Sequence, residues 1–361
     1  MPKVLAAMSG GVDSSVAALL LQERGYELQG ATLKLFADED IGRGNQPDRP
    51  CCSLVNVTDA REVAEQLGFQ HQVFNFRQLF HREVIRRFAD SYAQGLTPNP
   101  CIDCNRFIKF THFWERAAAL GCRFLATGHY ARIEFDESRG RWLLKKAWDK
   151  TKDQTYVLYA LTQEQLARTI FPLGDMEKTK VRDLAEGKNL INAAKPDSQD
   201  ICFVQEGSYA DFLEKVLKYP SPPGDLIDSS GRILGRHRGL LHYTIGQRRA
   251  LGSFGQPMYV TELNRKRNTV QIGPAEELFT SEALVDEVNL ITESEIKRPV
   301  EATVKIRYNS PAAAALIKPG PGGKLWLKFK EPQKAVTPGQ AAVFYQGDLV
   351  LGGGTICPFK K

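Results

Sequence analysis

The string Ser9-Gly10-Gly11-Val12-Asp13-Ser14-Ser15 lies between Val4–Met8, an apolar segment that reads as a strand, and Ser14–Arg24, which reads as a helix stopped by Gly25. No other feature narrows the fold so far. Two glycines let the backbone approach an anion closely, a helix start offers unpaired N–H groups and the positive end of its dipole, and three serines add hydroxyl donors. A serine-capped helix behind a glycine turn is the simpler reading of a bare Ser-Gly-Gly. The whole string, placed between strand and helix, argues instead for a phosphate loop. It has no Gly-Lys-Ser/Thr, so it differs from the loop that serves γ-phosphoryl transfer.

Strand and helix signals go on alternating after it. Leu28–Leu35 reads as a strand, and Asp59 with Glu62 reads as a capping box for a helix running to Gly68. A strand at His71–Phe74, helices at Phe80–Gln94 and Phe107–Leu120, and a strand at Arg123–Thr127 follow. This order predicts an α/β fold, a doubly wound parallel sheet with helices on both faces and its ligand site at the carboxyl ends of the strands. Beyond about Pro220 the helix signals fade. Glu301–Tyr308 alternates, with Ala302, Val304, Ile306 and Tyr308 opposite Thr303, Lys305 and Arg307, and Lys324–Phe329 alternates likewise. Period-two patterning predicts half-buried antiparallel strands, hence a small C-terminal β-barrel or sandwich. At 361 residues more than one core is expected. The division predicted is a nucleotide-binding catalytic domain over 1–205, a connecting domain over 206–280 and a C-terminal β-barrel over 281–361. Asp38–Asp48 reads as a mobile surface loop.

With 42% hydrophobic and 25% charged residues the composition is that of a soluble globular protein, and no run of about 18 apolar residues is long enough to span a bilayer. The apolar N-terminus passes at once into Ser9, too soon for a signal peptide, so a cytoplasmic location without membrane attachment is expected. The net charge of +6 suits a polyanionic partner but does not single one out. Seven cysteines without a secretion signal point to reduced thiols in metal or catalytic use, not to a disulfide framework.

Two cysteine segments stand out. Thr97–Asn105 is stiffened by Pro98 and Pro100, and Asn105 is placed to cap a helix beginning near Phe107. Cys104 would then sit just ahead of a helix N-terminus, which favours the thiolate. Cys202 lies in the polar run Ser198–Phe203. Cys122 and Cys357 read as small buried hydrophobes, and Cys51-Cys52 as structural or loop residues. Cys101 and Cys104 are also spaced as half of a metal site, with Cys202 as a third ligand. No second Cys-x-x-Cys follows, which disfavours structural zinc and leaves an iron–sulfur cluster open.

The Ser-Gly-Gly-x-Asp-Ser string resembles the PP-loop of the ATP pyrophosphatases, in which attack on the α-phosphate of ATP adenylates a substrate oxygen and releases pyrophosphate. Further motifs occur in order: NPCxxCN with Ile108-Lys109-Phe110 downstream, ATGHYAR (Ala126–Arg132), KDQTYVL (Lys152–Leu158), DSQDICF (Asp197–Phe203), HYTIGQRR (His242–Arg249) and RYNSP (Arg307–Pro311). Together they resemble the tRNA 2-thiouridylase family over nearly the whole chain. The resemblance implies that Ala7, Met8, Ser9, Gly10, Gly11, Val12, Asp13 and Ser14 bind the phosphates of ATP, with Mg2+ as counterion, and that Leu33 and Gly128 flank the adenosine. It implies that Asn99, Pro100 and Cys101 meet the target base. Cys104 would be the nucleophile and Cys202 the carrier of a persulfide. His129, Lys152, Asp153, Gln154, Arg307, Tyr308 and Gln340 would contact tRNA.

The implied substrates are the tRNAs for Lys, Glu and Gln at the wobble uridine. A sulfur-relay protein or a cysteine desulfurase would supply sulfur to a monomeric enzyme. Many members of the family carry aspartate at the position of Cys101, whereas here Asp103 lies two residues on, so the acid/base assignment stays open. The same departure supplies the three thiols, Cys101, Cys104 and Cys202, for the alternative of a 4Fe–4S cluster. The basic residues Arg236, Arg238, Arg248, Arg249, Lys305 and Arg307 are further candidates for phosphate contact. Two other classes share part of the pattern: an amidating ATP pyrophosphatase, which needs no cysteine pair, and a metal-bound RNA-binding module, which needs no phosphate loop.

Overall fold

A computed structural model describes residues 1–37, 39–41, 54–197, 201–204 and 209–358. The chain forms two compact units. One comprises Met1–Val84, Cys101–Phe203 and Gly347–Leu351, the other Ile85–Pro100, Val204–Gln346 and Gly352–Lys361.

The first unit is built on a five-stranded sheet of β1 (Lys3–Ala7), β2 (Glu27–Lys34), β3 (His71–Asn75), β4 (Phe124–Ala126) and β7 (Thr169–Ile170). The spatial order is β3-β2-β1-β4-β7, and every pair is parallel. β1 is central and its Val4 and Leu5 are fully buried, as a short all-apolar strand must be when both faces are covered. The chain builds outward from β1 through β2 to β3, then returns to lay β4 on the other side of β1. That reversal opens a crevice at the carboxyl ends of β1 and β4, the place where open α/β sheets bind ligands.

The helix Val12–Glu23 is apolar almost all round. It is buried on both sides, between Ala6 of β1 with Met8 just beyond it and the helix Lys178–Gly187, whose Val181 and Ala185 join the same cluster. The alternation expected from the sequence is therefore present, with boundaries shifted by a few residues.

Three local expectations are corrected. Asp59 does not cap a helix, because it lies inside Leu54–Gln66, where its carboxylate pairs with Lys195. Asn105 does not cap one either. The helix already starts at Pro100, because proline fits a first helical position, where its missing N–H goes unneeded and its φ is pre-set. Cys104 thus lies inside a helical run that widens into a π-helix over Cys104–His112 and continues as Phe113–Ala119. Asn105 is buried there and donates from Nδ2 to Val157 O at 2.9 Å. Finally, an antiparallel hairpin, β5 (Ala131–Asp136) and β6 (Arg141–Lys146), follows β4 where no strands were anticipated.

Cys51, Cys52 and positions 38 and 42–48 of the expected surface loop lie outside the described residues. Glu39–Ile41 forms a short 3-10 turn, whose Asp40 accepts two bonds of 2.8 Å from Arg77. Cys122 is buried, and burial pushes its thiol above the ordinary value, in keeping with a packing role.

The second unit carries the barrel that period-two patterning predicts. A four-stranded sheet of β8 (Gly224–Ile227), β9 (Ile233–His237), β10 (Tyr259–Asn264) and β11 (Thr269–Gly273) runs in the order β10-β11-β8-β9. Its core is Leu226, Tyr243, Leu251, Val260, Val270 and Ile272. Six further strands follow: β12 (Phe279–Leu290), β13 (Val300–Lys305), β14 (Ala313–Pro319), β15 (Leu325–Lys334), β16 (Ala341–Gln346) and β17 (Leu349–Ile356). They run β12-β15-β14-β13-β16-β17, and a β12–β17 pairing closes them into an antiparallel barrel. Val304, Ile306, Leu325, Leu327 and Phe329 point inward, as the alternation requires, while Lys328 is exposed.

Candidate nucleotide and thiol site

Met8, Ser9, Gly10 and Gly11 form the turn from β1 into the helix Val12–Glu23, at the switch point of the sheet. Gly10 has φ +73°, and a Cβ there would overlap the Asn56 carbonyl, so the position requires glycine on two counts. The loop holds its own shape. Ser14 Oγ donates to Gly11 O at 2.9 Å and accepts from Ser9 N at 3.1 Å, and Ser15 Oγ donates to Gly11 O at 3.2 Å. From outside, Asn192 Nδ2 and Lys195 Nζ reach Gly10 O at 3.1 and 3.2 Å. The ammonium of Lys195 also meets Asn56 and Asp59. At the other flank Thr32 Oγ1 donates to Met8 O at 2.6 Å. His71 Nε2 lies 2.8 Å from the same hydroxyl. Because Thr32 has spent its proton, His71 is the donor of that bond.

The segment after β4 lies directly on this loop. At Gly128 a Cβ would stand 2.8 Å from Asp13 C and from Ser14 N, backbone atoms that cannot swing away. Tyr130, two residues on, donates its hydroxyl to Asp13 Oδ1 at 2.7 Å. The same carboxylate oxygen takes Lys178 Nζ at 2.6 Å. Burial and the Asp13 carboxylate push the Tyr130 hydroxyl far above its ordinary range, so it remains a donor. Leu33 is half-buried on β2, in register with Phe74 of β3.

Lys178 also contacts Asp197 Oδ1 at 2.7 Å, and Asp197 is reached by Lys152 and Arg182 at 2.8 Å each. Burial acts to raise the Asp197 carboxyl, but the bonds from Lys152 and Lys178 outweigh it and hold it at about 2. Asp197 therefore stays ionised.

Chain direction places the thiols. The run from Pro100 to Ala119 leads into the amino end of β4, so its beginning, with Cys104, lies toward the carboxyl ends of the strands. Phe203, next to Cys202, packs edge-on against Phe80 at 5.7 Å between ring centroids. Phe80 belongs to the turn that leaves the carboxyl end of β3. Cys104 is buried, Cys202 half-buried and Cys101 exposed. Among the described residues no three His, Cys, Asp or Glu side chains gather as a metal site. Cys101, Cys104 and Cys202 do not form such a group.

The remaining candidates are scattered. The His129 ring is buried beside Phe110 and Phe171, with Nδ1 2.7 Å from Thr127 Oγ1. Burial first, and Lys109 second, keep it well below its ordinary pKa and hence neutral. Asp153 Oδ2 accepts from Thr155 Oγ1 at 2.7 Å, and Gln154 Oε1 accepts from Tyr130 N at 2.9 Å. In the second unit Pro100 is buried, Asn99 is half-buried, and Gln340 Nε2 donates to Thr97 O at 2.7 Å. Arg307 donates from Nη2 to Lys334 O and Ala335 O at 2.9 and 2.7 Å. The Tyr308 ring, 38% exposed, lies 5.7 Å from Lys305 Nζ. The reading of the sequence missed Tyr130, Lys178, Asn192 and Lys195. Only Tyr130 fell inside a noted motif, and no local pattern marks the other three.

A Ser-Gly-Gly loop at the switch point of a parallel sheet of this order defines a nucleotide-binding domain of the PP-loop ATPase class. Residues 2–206 match the family described as the tRNA methyl transferase HUP domain. Residues 210–274 match the tRNA methyl transferase PRC-barrel domain and residues 280–356 the aminomethyltransferase β-barrel domain. The tRNA-specific 2-thiouridylase MnmA of Natranaerobius thermophilus is 49% identical over 356 residues, covering 98% of this chain and 97% of its own. That of Moorella thermoacetica is 50% identical over 353 residues, covering 98% of each. That of Clostridioides difficile is 47% identical over 355 residues, again covering 98% of each. The chain belongs to the family of the tRNA-specific 2-thiouridylases. Among the described residues no helix is long and apolar enough to cross a membrane.

Proposed function

We propose that this protein is an ATP-dependent tRNA 2-thiouridylase acting in the cytoplasm on the wobble uridine of the tRNAs for Lys, Glu and Gln. The observation that supports the reading is an anion-ready loop at the switch point of a parallel sheet, in a chain that also carries the two cysteine segments. A methyl transfer, which the descriptions of the family domains name, gives neither the loop nor the thiols a task.

The uridine O2 attacks the α-phosphate of ATP, forming the O–P bond as the bond to pyrophosphate breaks. The backbone N–H groups of Ser9–Ser14 hold the departing phosphates. Asp13, a carboxylate in the first helical turn, would hold Mg2+ bound with the nucleotide, and the ion would offset charge on the phosphates. A carbonyl oxygen, a poor leaving group, has become AMP. The terminal sulfur of a Cys202 persulfide, loaded by a sulfur-donor protein, attacks C2, and AMP leaves with the oxygen. The Cys104 thiolate then attacks Cys202 Sγ. The S–S bond to the transferred sulfur breaks, a Cys104–Cys202 disulfide forms, and 2-thiouridine is released. An external thiol restores the pair. The target base has to leave its stack, which an unpaired anticodon nucleotide does at little cost.

In this division residues 1–205 do the chemistry, 206–280 connect, and the barrel of 281–361 contacts tRNA through Arg307, Tyr308 and Gln340. Asn99, Pro100 and Cys101 meet the base. His129, Lys152, Asp153 and Gln154 form a second contact line, on which the buried His129 and the bonded Asp153 and Gln154 act by shaping the backbone. The test is pyrophosphate release from ATP on adding tRNA, scored beside 2-thiouridine by nucleoside mass spectrometry. Pyrophosphate release without thiolation in the presence of a sulfur donor, or no release at all, refutes the reading.

A further inference from the structure

The lysines described so far around the phosphate loop meet carboxylates: Lys178 meets Asp13 and Asp197, Lys152 meets Asp197, and Lys195 meets Asp59. Lys109 is different. It stands half-buried in the π-helix Cys104–His112, and among the described residues no carboxylate lies within ion-pair distance of its ammonium. Its Nζ lies 3.5 Å from His129 Nε2. An ammonium has no lone pair, so the ring nitrogen is the acceptor. Burial and Lys109 keep the ring neutral, so its other nitrogen carries the proton and donates to Thr127 Oγ1 at 2.7 Å. The rings of Phe110 and Phe171, 6.0 and 5.8 Å away between centroids, hold the imidazole in place. The acceptor is therefore uncharged, and the positive charge of Lys109 goes uncompensated.

The pair stands beside the loop. β4 lies parallel to β1 with Ala126 next to Ala6, so Thr127, Gly128 and His129 leave the sheet level with Ala7, Met8 and Ser9, one strand spacing or about 5 Å away. Gly128 lies against the backbone of Asp13 and Ser14. We propose that Lys109, aimed by His129, is the cation that receives the α-phosphoryl group of the nucleotide bound on this loop. The inference rests on the reading of the loop as an ATP site. Keeping a cation partly out of water without a counter-charge costs free energy, and an arriving anion relieves that cost. At 3.5 Å the contact with His129 is at the outer limit of a hydrogen bond, whereas a phosphate oxygen draws an ammonium to about 2.8 Å. The phosphate therefore displaces the ring as the partner. A carboxylate in place of His129 would hold Lys109 as Asp197 holds Lys152, and leave its charge spent before the nucleotide arrived. The ammonium stays with the non-bridging oxygens as uridine O2 bonds to phosphorus and pyrophosphate leaves, and no proton has to move.

The experiment compares AMP with adenosine by equilibrium dialysis, because the two differ only in the phosphate. The wild-type protein binds AMP at least about tenfold more tightly than adenosine, the weight of one hydrogen bond to a charged group. In Lys109→Gln, which keeps a donor for His129 but no charge, that preference falls about tenfold while adenosine binding is little changed. Lys109→Arg restores most of it. A merely structural role would weaken both ligands alike and would not separate Gln from Arg. If Lys109→Gln melts below the assay temperature, Lys109→Met, which keeps the apolar stem, carries the same expectation. Binding of tRNA, followed by filter retention on the same variants, is little changed. A wild-type protein without preference for AMP, or a Lys109→Gln protein that keeps the full preference, overturns the proposal. So does a loss confined to tRNA binding, which assigns the ammonium to a phosphate of the RNA backbone. Pyrophosphate release from ATP with tRNA is scored on the same wild-type sample. Its failure removes the function proposed above, whereas release beside an AMP preference that ignores Lys109 removes this inference alone.

Discussion

Gly128→Ala is the sharpest probe of the phosphate loop, because it adds one methyl group and no charge. The new Cβ would stand 2.8 Å from Asp13 C and Ser14 N, where 3.4 Å is the near limit of ordinary contact. The backbones must therefore separate by about 0.6 Å. Overpacking of this size costs about 1–3 kcal/mol of stability. The functional cost is larger than the displacement suggests, since the atoms that move are the N–H donors of the loop. A misplacement of about 1 Å in a positioned group costs on the order of 100-fold in rate, so about 0.6 Å predicts a ten- to hundredfold loss in kcat/KM for ATP, or about 1.4–2.7 kcal/mol. The assay is pyrophosphate release at saturating tRNA, with thermal melting alongside. Gly187→Ala is the control. It lies at the end of a helix with nothing within 4 Å of its Cβ position, and alanine there is neutral or stabilising. A Gly128→Ala enzyme with unchanged kcat/KM for ATP would refute the claim that this segment braces the loop.

Cys104→Ser and Cys202→Ser each abolish 2-thiouridine formation while adenylation stays measurable, whereas Cys101→Ser keeps substantial activity; an active Cys202→Ser enzyme supplied with its sulfur donor removes the persulfide route. Burial, aided by Arg61, holds the His71 imidazole at about 4 against an ordinary value of 6.5, so the unfolded chain takes up a proton first. Stability then falls as pH drops from about 6.5 to 4, and His71→Gln flattens that part of a urea-midpoint profile. Asp197 has the opposite starting point. Its carboxyl is held at about 2 in the fold against an ordinary value of 3.8, so its contribution is present above about 4 and is lost as pH falls toward 2. Asp197→Asn removes that lower limb of the melting profile and leaves the His71 limb in place.

The parts that were legible in the sequence are those whose cause is local. The loop Ser9–Ser15 announces itself because the conformation of Gly10 and the donors of the serines act within a few residues. The barrel strands are legible because Leu325, Leu327 and Phe329 alternate with Lys324, Trp326 and Lys328. Errors arose where a local rule met a distant partner. Asp59 and Glu62 satisfy the capping-box spacing, but Lys195, 136 residues away, takes Asp59 as an ion-pair partner within the helix. Asn105 has the right type for a cap, but Val157, 52 residues away, gives its amide an acceptor in the interior. At Pro100 the stiffening of a loop is the smaller effect, and the tolerance of proline in a first helical turn decides the outcome.

The ion cluster around Asp197 shows the limit of such reading most clearly. Lys152, Lys178 and Arg182 lie 45, 19 and 15 residues before Asp197, and Asp13 lies 165 before Lys178. Nothing in a window of twenty residues marks Lys178 off from Lys180 or Lys188, which remain exposed. What distinguishes it is that the helix Lys178–Gly187 turns Val181 and Ala185 into the core against Val12–Glu23, and that packing carries residue 178 to the mouth of the phosphate loop. The apolar face of the helix was thus the only advance signal of where its first lysine would go. Once there, the ammonium is too poorly solvated to be left unpaired, and the two carboxylates it meets are Asp13 of the phosphate loop and Asp197.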